Sequence, residues 1–202
     1  MISNKLDISK STLSNWFRDR KFVPNQKVLN RIQYGPLKVA TQNHNRKVEE
    51  IKKLNEIGSK EIGALSHRDL WLLGLGLYIG EGSKSHEHIR IINSDPDVIK
   101  LSIKWFKEIC NSSDENITIM IHLYPDNNIQ KSLKFWRSVT GLPKTNFRKT
   151  QVDRRENKSQ IKKGKLPHGT AHITIVSNGD PEKGVRLYRR IGGWMMGALS
   201  QT

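Results

Sequence analysis

The sequence predicts an α+β fold in which helices cover a small sheet, preceded by an all-helical N-terminal region. Two observations predict this class. Between residues 66 and 199, segments with the 3.6-residue period of helices alternate with short β-branched runs, and ENITIMIHLYP at 115–125 is the clearest strand. The segments before residue 66 have helical patterns only. We therefore divide the chain into an N-terminal helical segment at 1–22, a helical linker at 23–65 and a main domain at 66–202.

Composition and charge narrow the class of protein. The 202-residue chain has 35 Lys and Arg against 19 Asp and Glu, a formal charge of +16. This excess favours a polyanionic partner, most often nucleic acid, with an anionic membrane surface as the lesser alternative. Cys110 is the single cysteine and the N-terminus lacks a signal-peptide pattern, so we expect a cytoplasmic protein. The apolar run at 70–80 is about half the roughly 20 residues of a membrane span, so we expect no transmembrane helix.

The N-terminal segment predicts a capped helix with a polar face. Ser9 is placed to cap a helix that ends near residue 19, and apolar residues stand at Leu6, Ile8, Leu13 and Trp16. The open side carries side chains that hydrogen-bond phosphates and base edges, namely Lys10, Ser11, Ser14, Asn15 and Arg18. The phrase ISKSTLSNW resembles the turn and recognition helix of the helix-turn-helix domains of resolvases, which implies DNA binding. Few residues precede the turn, so the unit is partial, and an ordinary capped amphipathic helix is the alternative.

The region at 23–65 has the pattern of a helical linker. Pro24, Gly35 and Pro36 predict breaks around a short helical turn at 26–32. Residues 38–57 follow with the period of a surface helix, and Gly58 is expected to end it. We therefore expect two separate helical pieces here.

The main domain is predicted to contain four helices and four strands. Ser66 is placed to cap the first helix, which runs to Gly80 with Asp69 in its first turn. The other helices are expected at 95–110, at 129–141 with Gly141 at its end, and from about 181 to 199. The strands are expected at 88–95, 115–125, 145–153 and 171–176. Aromatic residues at helical spacing are expected in the core: Trp105, Phe106, Phe135, Trp136 and Trp194.

The first helix of the main domain has an unusual glycine content. Gly74, Gly76 and Gly80 each cost about 1 kcal/mol relative to alanine. Gly76 and Gly80 share a face on which another helix can pack closely. Glu81 follows at the C-terminal end, where the helix macrodipole disfavours a carboxylate. A divalent cation between two such carboxylates, one from each packed helix, would reverse this penalty and supply a Lewis acid beside a phosphodiester.

GLYIGEG at 76–82 resembles the signature helix of the LAGLIDADG homing endonucleases, with Glu81 at the position of the penultimate acid. The order of elements over 67–199 is similar to that family's saddle-shaped sheet of mixed or antiparallel strands with covering helices. The resemblance implies Mg²⁺-dependent cleavage of both DNA strands, with Glu81 catalytic and the metal at Glu81 and Gly82. It also implies a homodimer through the helix at 67–80, with an interface at Leu73, Gly76, Leu77 and Gly80. The alternative is a buried helix with a Gly82 cap and an incidental surface glutamate.

Basic residues downstream form the predicted DNA contact. Lys84 and Arg90 share one side of the first strand with His86 and His88. The stretch 144–165 has nine Lys or Arg against two acids, +7 of the total +16, as expected for a loop that follows phosphates. Either Arg148 or Lys149 is placed to stabilise charge on a scissile phosphate, with Lys149 as the candidate catalytic residue. The other candidates for DNA contact here are Arg148, Arg154, Arg155, Lys158, Lys162, Lys163 and Lys165.

These features predict a DNA-binding protein, and first a homodimeric, Mg²⁺-dependent, site-specific DNA endonuclease of the LAGLIDADG type. A transcriptional regulator that keeps the fold without cleaving DNA is the alternative, and an RNA-binding or maturation factor is a third class. The histidine pairs at 86/88 and 168/172 have no cysteine pair nearby and do not favour structural zinc. Double-stranded DNA and a second copy of the chain are the expected partners, and Mg²⁺ is the expected cofactor.

Overall fold

The computed structural model describes residues 2–21, 23–154 and 164–201. The chain forms two compact units, Met1–Gly63 and Ala64–Thr202. Within the described ranges the fold is α+β and mostly helical, with seven α-helices and a four-stranded mixed sheet. The predicted fold class is confirmed at this level. None of the helices in these ranges is both long and apolar enough to cross a membrane.

The first unit begins with two short helices, α1 (Ile2–Leu6) and α2 (Lys10–Trp16). Asp7 links them with a φ of 52°, a left-handed conformation that Asp tolerates better than most residues. Ser9 caps α2 as predicted, because its Oγ accepts a hydrogen bond from the Thr12 N–H at 3.1 Å. The helix ends at Trp16, three residues before the predicted end.

The third helix, α3 (Gln26–Ile62), differs from the prediction of a short turn followed by a separate helix. It is continuous through Gly35, Pro36 and Gly58. A helical proline removes one hydrogen bond and a helical glycine costs about 1 kcal/mol, and a long run of good helix formers outweighs these local costs. The prediction that Gly58 ends the helix is wrong: the chain leaves the helical conformation at Gly63, where φ is 63°.

The second unit contains the four predicted helices: α4 (His67–Glu81), α5 (Pro96–Glu108), α6 (Ile129–Thr140) and α7 (Val185–Leu199). Asp95 caps α5 by accepting hydrogen bonds from the N–H groups of Asp97 and Val98. Gly141 ends α6 in the left-handed conformation, as predicted. The last helix starts later than expected, because a separate 3₁₀ turn occupies Pro181–Lys183.

The sheet has the strand order β1–β4–β2–β3. Its strands are β1 (Arg90–Asn93), β2 (Ile117–Leu123), β3 (Gln151–Val152) and β4 (Thr170–Ile175). β4 pairs antiparallel with both β1 and β2, and β3 pairs parallel with β2. The strand predicted at 145–153 is reduced to two residues, because a 3₁₀ turn at Lys144–Asn146 takes up its first part.

One face of the sheet carries the core. Alternate residues of β2, from Ile117 to Leu123, are buried, and Ala171, Ile173 and Ile175 of β4 are buried beside them. Helices α4, α5 and α6 pack on the sheet, and α7 packs on α4. Large side chains of these helices join the core, namely Tyr78, Trp105, Phe106, Trp136, Leu187 and Ile191. Each such side chain contributes about 1.5–3 kcal/mol through burial. Trp105, Phe106 and Trp136 are fully buried as predicted, whereas Phe135 and Trp194 pack at the edge of the core.

Candidate functional site

Helix α4 begins with a reciprocal cap. The Ser66 backbone N–H donates to Asp69 Oδ2 at 2.8 Å, and the Asp69 N–H donates to Ser66 Oγ at 3.2 Å. The hydrogen bonds from the Ser66 side chain and backbone lower the pKa of Asp69. This reciprocal pair of hydrogen bonds, a capping box, satisfies two backbone N–H groups at the start of the helix. It confirms the predicted start of α4.

The three glycines of α4 have different surroundings. Gly74 is buried against the indole of Trp105, and a Cβ at this position would overlap that ring. Gly76 and Gly80 face open space, since a Cβ at either position meets nothing within 4 Å. The close contact inside the chain is therefore at Gly74. Leu73 is 45% exposed beside Gly76 and Gly80, and Leu77 is half-buried.

Glu81 is the last residue of α4, and its side chain is exposed. Its carboxylate has no hydrogen bond or ion pair with any other described residue. Gly82 follows with a φ of −76° and is buried, and a Cβ there would overlap the carbonyl and ring of Tyr78. Glycine is therefore needed at 82 for space, whereas the left-handed cap expected of such a glycine is not formed.

Two tyrosine hydroxyls fix the chain directly after Glu81. The Tyr78 hydroxyl donates to the Ser83 carbonyl at 2.8 Å, and the Tyr188 hydroxyl of α7 donates to the Lys84 carbonyl at 2.8 Å. The Ser83 N–H donates to the Arg90 carbonyl at 2.8 Å, which joins this segment to β1. Lys84 itself is exposed. The carboxylate of Glu81 therefore projects from a well-held piece of backbone.

The second face of the sheet carries mostly polar, half-buried side chains, together with Met120 and Ile92. Arg90 of β1 lies on it, opposite Thr174 of β4, and donates from Nε to the threonine Oγ1 at 3.2 Å. Met120 of β2 pairs with His172, and Thr118 pairs with Thr174. The ring of His122 contacts that of His172 with centroids 5.5 Å apart. This face presents hydrogen-bonding side chains on adjacent strands, the arrangement with which a sheet can contact a nucleic-acid groove.

His172 has a lowered pKa. Burial, followed by the nearby His122 and Arg90, lowers its pKa to about 4. The side chain is therefore neutral at physiological pH. The sequence analysis did not predict that His172 would be half-buried. The alternation of AHITIV at 171–176 already places His172 and Thr174 on the face of the strand opposite Ile173.

The described part of the basic stretch at 144–165 lies along the side of β2 that faces away from β4. Phe147 forms a bridge with Ile119 of β2, and the Arg148 N–H donates to the Ile119 carbonyl at 2.7 Å. Arg148 and Lys149 line a cavity beside α6, and Arg154 and Lys165 are exposed. The other four predicted DNA contacts in this stretch, Arg155, Lys158, Lys162 and Lys163, fall outside the described residues.

The structure does not bring Lys149 to Glu81 of the same chain. Gly82, next to Glu81, bridges Ile91 of β1, whereas Lys149 lies just before β3. β1 and β3 are the two outer strands of the sheet. Three interstrand spacings separate them, which is about 14 Å. Arg90, in contrast, lies on the strand beside Glu81.

The N-terminal unit presents a separate polar surface. Lys10, Ser11, Ser14 and Asn15 lie within an arc of about 140° on α2, opposite Leu13 and Trp16. All four polar residues are exposed. Arg18 follows the helix and donates from Nη2 to Asn15 Oδ1 at 2.7 Å. The predicted residues therefore share one face of a capped helix, although Leu6 and Trp16 are also largely exposed.

Comparison of the chain with protein-family models, with curated proteins and with solved structures finds no match. Among the described residues, no group of three or more His, Cys, Asp or Glu side chains is placed to hold a metal ion. The function is therefore inferred from the chain's own residues and geometry.

Proposed function

We propose that this protein is a DNA-binding protein that acts as a homodimeric, Mg²⁺-dependent DNA endonuclease of the LAGLIDADG type. The observation that carries the proposal is Glu81: an exposed, unpaired carboxylate at the end of a helix whose neighbouring face, with Gly76 and Gly80, is open. A carboxylate at a helix C-terminus is disfavoured by about 0.3–1 kcal/mol, and no described side chain compensates it.

The open face of α4 suits a second copy of the chain. Leu72, Leu73, Gly76 and Gly80 lie on the side of the helix away from its buried residues Leu70, Leu75 and Tyr78, and half-buried Leu77 lies at the border of this side. Glycines four residues apart allow two helix backbones to approach closely. A pair of α4 helices related by a two-fold axis that runs along them would bring Glu81 and Glu81 of the partner subunit to the same end of the interface.

Mg²⁺ fits this arrangement when two copies are present. The ion prefers octahedral oxygen ligands and usually takes one or two carboxylates together with water. One chain offers Glu81, with the Gly82 backbone beside it, and a pair of chains offers two carboxylates. Bound there, the ion would supply Lewis-acid stabilisation of charge on a phosphodiester. The chain's own contribution is to hold the backbone from which the carboxylate projects, through Gly82 and the Tyr78 hydroxyl.

DNA binding is assigned to two surfaces, one on each unit. On the second unit, Arg90 and the threonines of the polar sheet face would contact the duplex close to Glu81, with Lys84 and Arg148 at its edges. On the first unit, the exposed face of α2 carries side chains that can read base edges, as in a helix-turn-helix recognition helix. Lys149 lies too far from Glu81 of its own chain to act on the same phosphate, so its proposed role is phosphate contact.

Cleavage of DNA from the gene's own locus, with and without Mg²⁺, tests the proposal. The Glu81→Gln variant keeps the shape of the side chain and removes its charge, so it should bind this DNA with nearly unchanged affinity and lose cleavage. Glu108→Gln, at the exposed end of α5, is the matched control and should cleave normally. Binding without cleavage by the wild type would instead support the regulator that keeps the fold without cutting.

A further inference from the structure

A cavity of about 660 Å³ lies between α6 and the segment 144–150 that runs along the edge of β2. Its volume lies within the roughly 300–1,000 Å³ typical of sites for small molecules. The cavity is separate from Glu81, because it lies at the β3 edge of the sheet and Glu81 lies beside β1.

Five cationic side chains line this cavity: Lys134, Arg137, Lys144, Arg148 and Lys149. The described lining contains no acidic residue. None of the five forms an ion pair with another residue that the structure describes, whereas other cations of the same unit are paired, such as Lys100 with Asp97 at 3.0 Å. Like charges around one cavity repel each other, and a bound anion would remove that repulsion.

Two of the residues that line the cavity are apolar. Leu133 of α6 and Phe147 line it, and both are partly buried against the core. Phe147 is held in place because its backbone bridges Ile119 and the next residue, Arg148, donates its N–H to the Ile119 carbonyl at 2.7 Å. A fixed aromatic ring inside a cationic cavity is the combination that binds a nucleobase and its phosphate together.

We infer that this cavity binds one phosphorylated nucleotide, with the base against Phe147 and Leu133 and the phosphate among the lysines and arginines. The chemistry is the same for the terminal nucleotide of a nucleic-acid strand and for a free nucleotide. Lys134 and Arg137 stand one turn apart on α6 and would face the phosphate from one wall, opposite the cations at 144–149. This site does not depend on DNA cleavage at Glu81.

Calorimetric titration of the full chain tests the inference, with adenosine monophosphate, adenosine and inorganic phosphate as probes. The monophosphate should bind at least about tenfold more tightly than either fragment, because only it engages both parts of the cavity. Removing charged contacts in the double variant Lys134→Gln/Arg137→Gln should weaken its binding by about tenfold or more. The matched double variant Lys104→Gln/Lys131→Gln removes two exposed lysines outside the cavity and should bind like the wild type.

The variant Phe147→Leu distinguishes the contribution of the base to binding from that of the phosphate. It keeps an apolar side chain at the position, so the fold is retained, and it should weaken monophosphate binding while leaving phosphate binding unchanged. A short DNA strand with a 5′-phosphate identifies the natural ligand, with the same strand ending in a 5′-hydroxyl as the control. Tighter binding of the phosphorylated strand than of the monophosphate indicates the end of a nucleic-acid strand. Tighter binding of the monophosphate indicates a free nucleotide. Equal affinity for monophosphate and inorganic phosphate, equal losses in both double variants, or no binding of any probe would overturn the inference.

Discussion

The hydroxyl of Tyr78 donates a hydrogen bond to the backbone carbonyl of Ser83 at 2.8 Å, and this bond connects the last turn of α4 to the chain that follows Glu81. Tyr78 is 1% exposed, and burial raises its pKa well above its usual range. Gly82 lies against the tyrosine ring, where no Cβ fits. The tyrosine therefore fixes the backbone around Gly82, from which the exposed Glu81 side chain projects.

Tyr78→Phe should lower the free energy of unfolding by about 1–2 kcal/mol. The substitution keeps the buried ring and removes the donor to the Ser83 carbonyl, which then lacks its partner. Chemical denaturation of the purified protein measures this change. Tyr188→Phe is the matched control, because its hydroxyl donates to the Lys84 carbonyl at an exposed position and its loss should cost less than about 0.5 kcal/mol. Equal effects of the two substitutions would contradict the structural role of Tyr78.

Alanine at Gly76 or Gly80 should stabilise a single chain by up to about 1 kcal/mol. Both positions are helical and open, so alanine gains helix propensity without a clash. Gly74→Ala should instead destabilise by about 1–3 kcal/mol, since its methyl group would overlap the Trp105 indole. Thermal unfolding of the three variants at low protein concentration, where chains are separate, measures the difference in sign.

The same glycine variants report on the proposed dimer. If the open face of α4 packs closely on a second copy, Gly76→Ala and Gly80→Ala should shift sedimentation from dimer toward monomer although they stabilise the separate chain. Gly58→Ala, in the exposed α3, is the control for helix propensity alone and should not change the oligomeric state. A dimer that is unaffected by both α4 variants would place the interface elsewhere.

Most helices and strands could be predicted from local patterns. The cap at Ser66, the strand from Ile117 to Leu123 and the end of α6 at Gly141 each depend on a few neighbouring residues, and all are confirmed. The break predicted around Pro36 and the end predicted at Gly58 were wrong. Single helix-breaking residues carry local costs, and whether the helix continues depends on the whole run.

The candidate site was only partly visible in the sequence. Glu81 and the glycines could be identified because each is locally unfavourable in a helix. The position of Lys149 could not be predicted, because strand order is set by long-range pairing and places it at the sheet edge opposite Glu81. The cationic cavity was likewise hidden, since it combines α6 with a segment that was expected to be a strand.

The stability of the protein should fall as pH decreases from about 6.5 to about 4, in part because of His172. Its pKa is about 4 in the folded state and about 6.5 in the unfolded chain, so over this window the unfolded state takes up a proton that the folded state does not. The contribution is fully present above pH 6.5 and is lost as pH approaches 4. Urea denaturation at several pH values measures it.

His172→Gln isolates this contribution. The variant cannot take up the proton, so its stability should vary less with pH over the same window than that of the wild type. His88→Gln removes an exposed histidine before β1 and is the control; its pH profile should follow the wild type. If His172→Gln and the wild type have parallel profiles, the half-buried imidazole does not resist protonation in the folded protein.

Arg90→Gln should weaken binding to duplex DNA and reduce its dependence on salt. Arg90 is held on the polar sheet face by its hydrogen bond to Thr174, at the strand beside Glu81, so in the proposed complex it neutralises a backbone phosphate. The variant of the proposed homodimer loses one such contact in each subunit, so the slope of log K against log salt concentration should fall by about 1.8, or about 0.9 per subunit, which fluorescence anisotropy at several salt concentrations can resolve. Lys100→Gln removes the same charge from α5, where it is paired with Asp97, and should leave the slope unchanged. Equal slopes for Arg90→Gln and the wild type would remove this face of the sheet from the DNA interface, because a cation that touches a phosphate must release counterions when the complex forms.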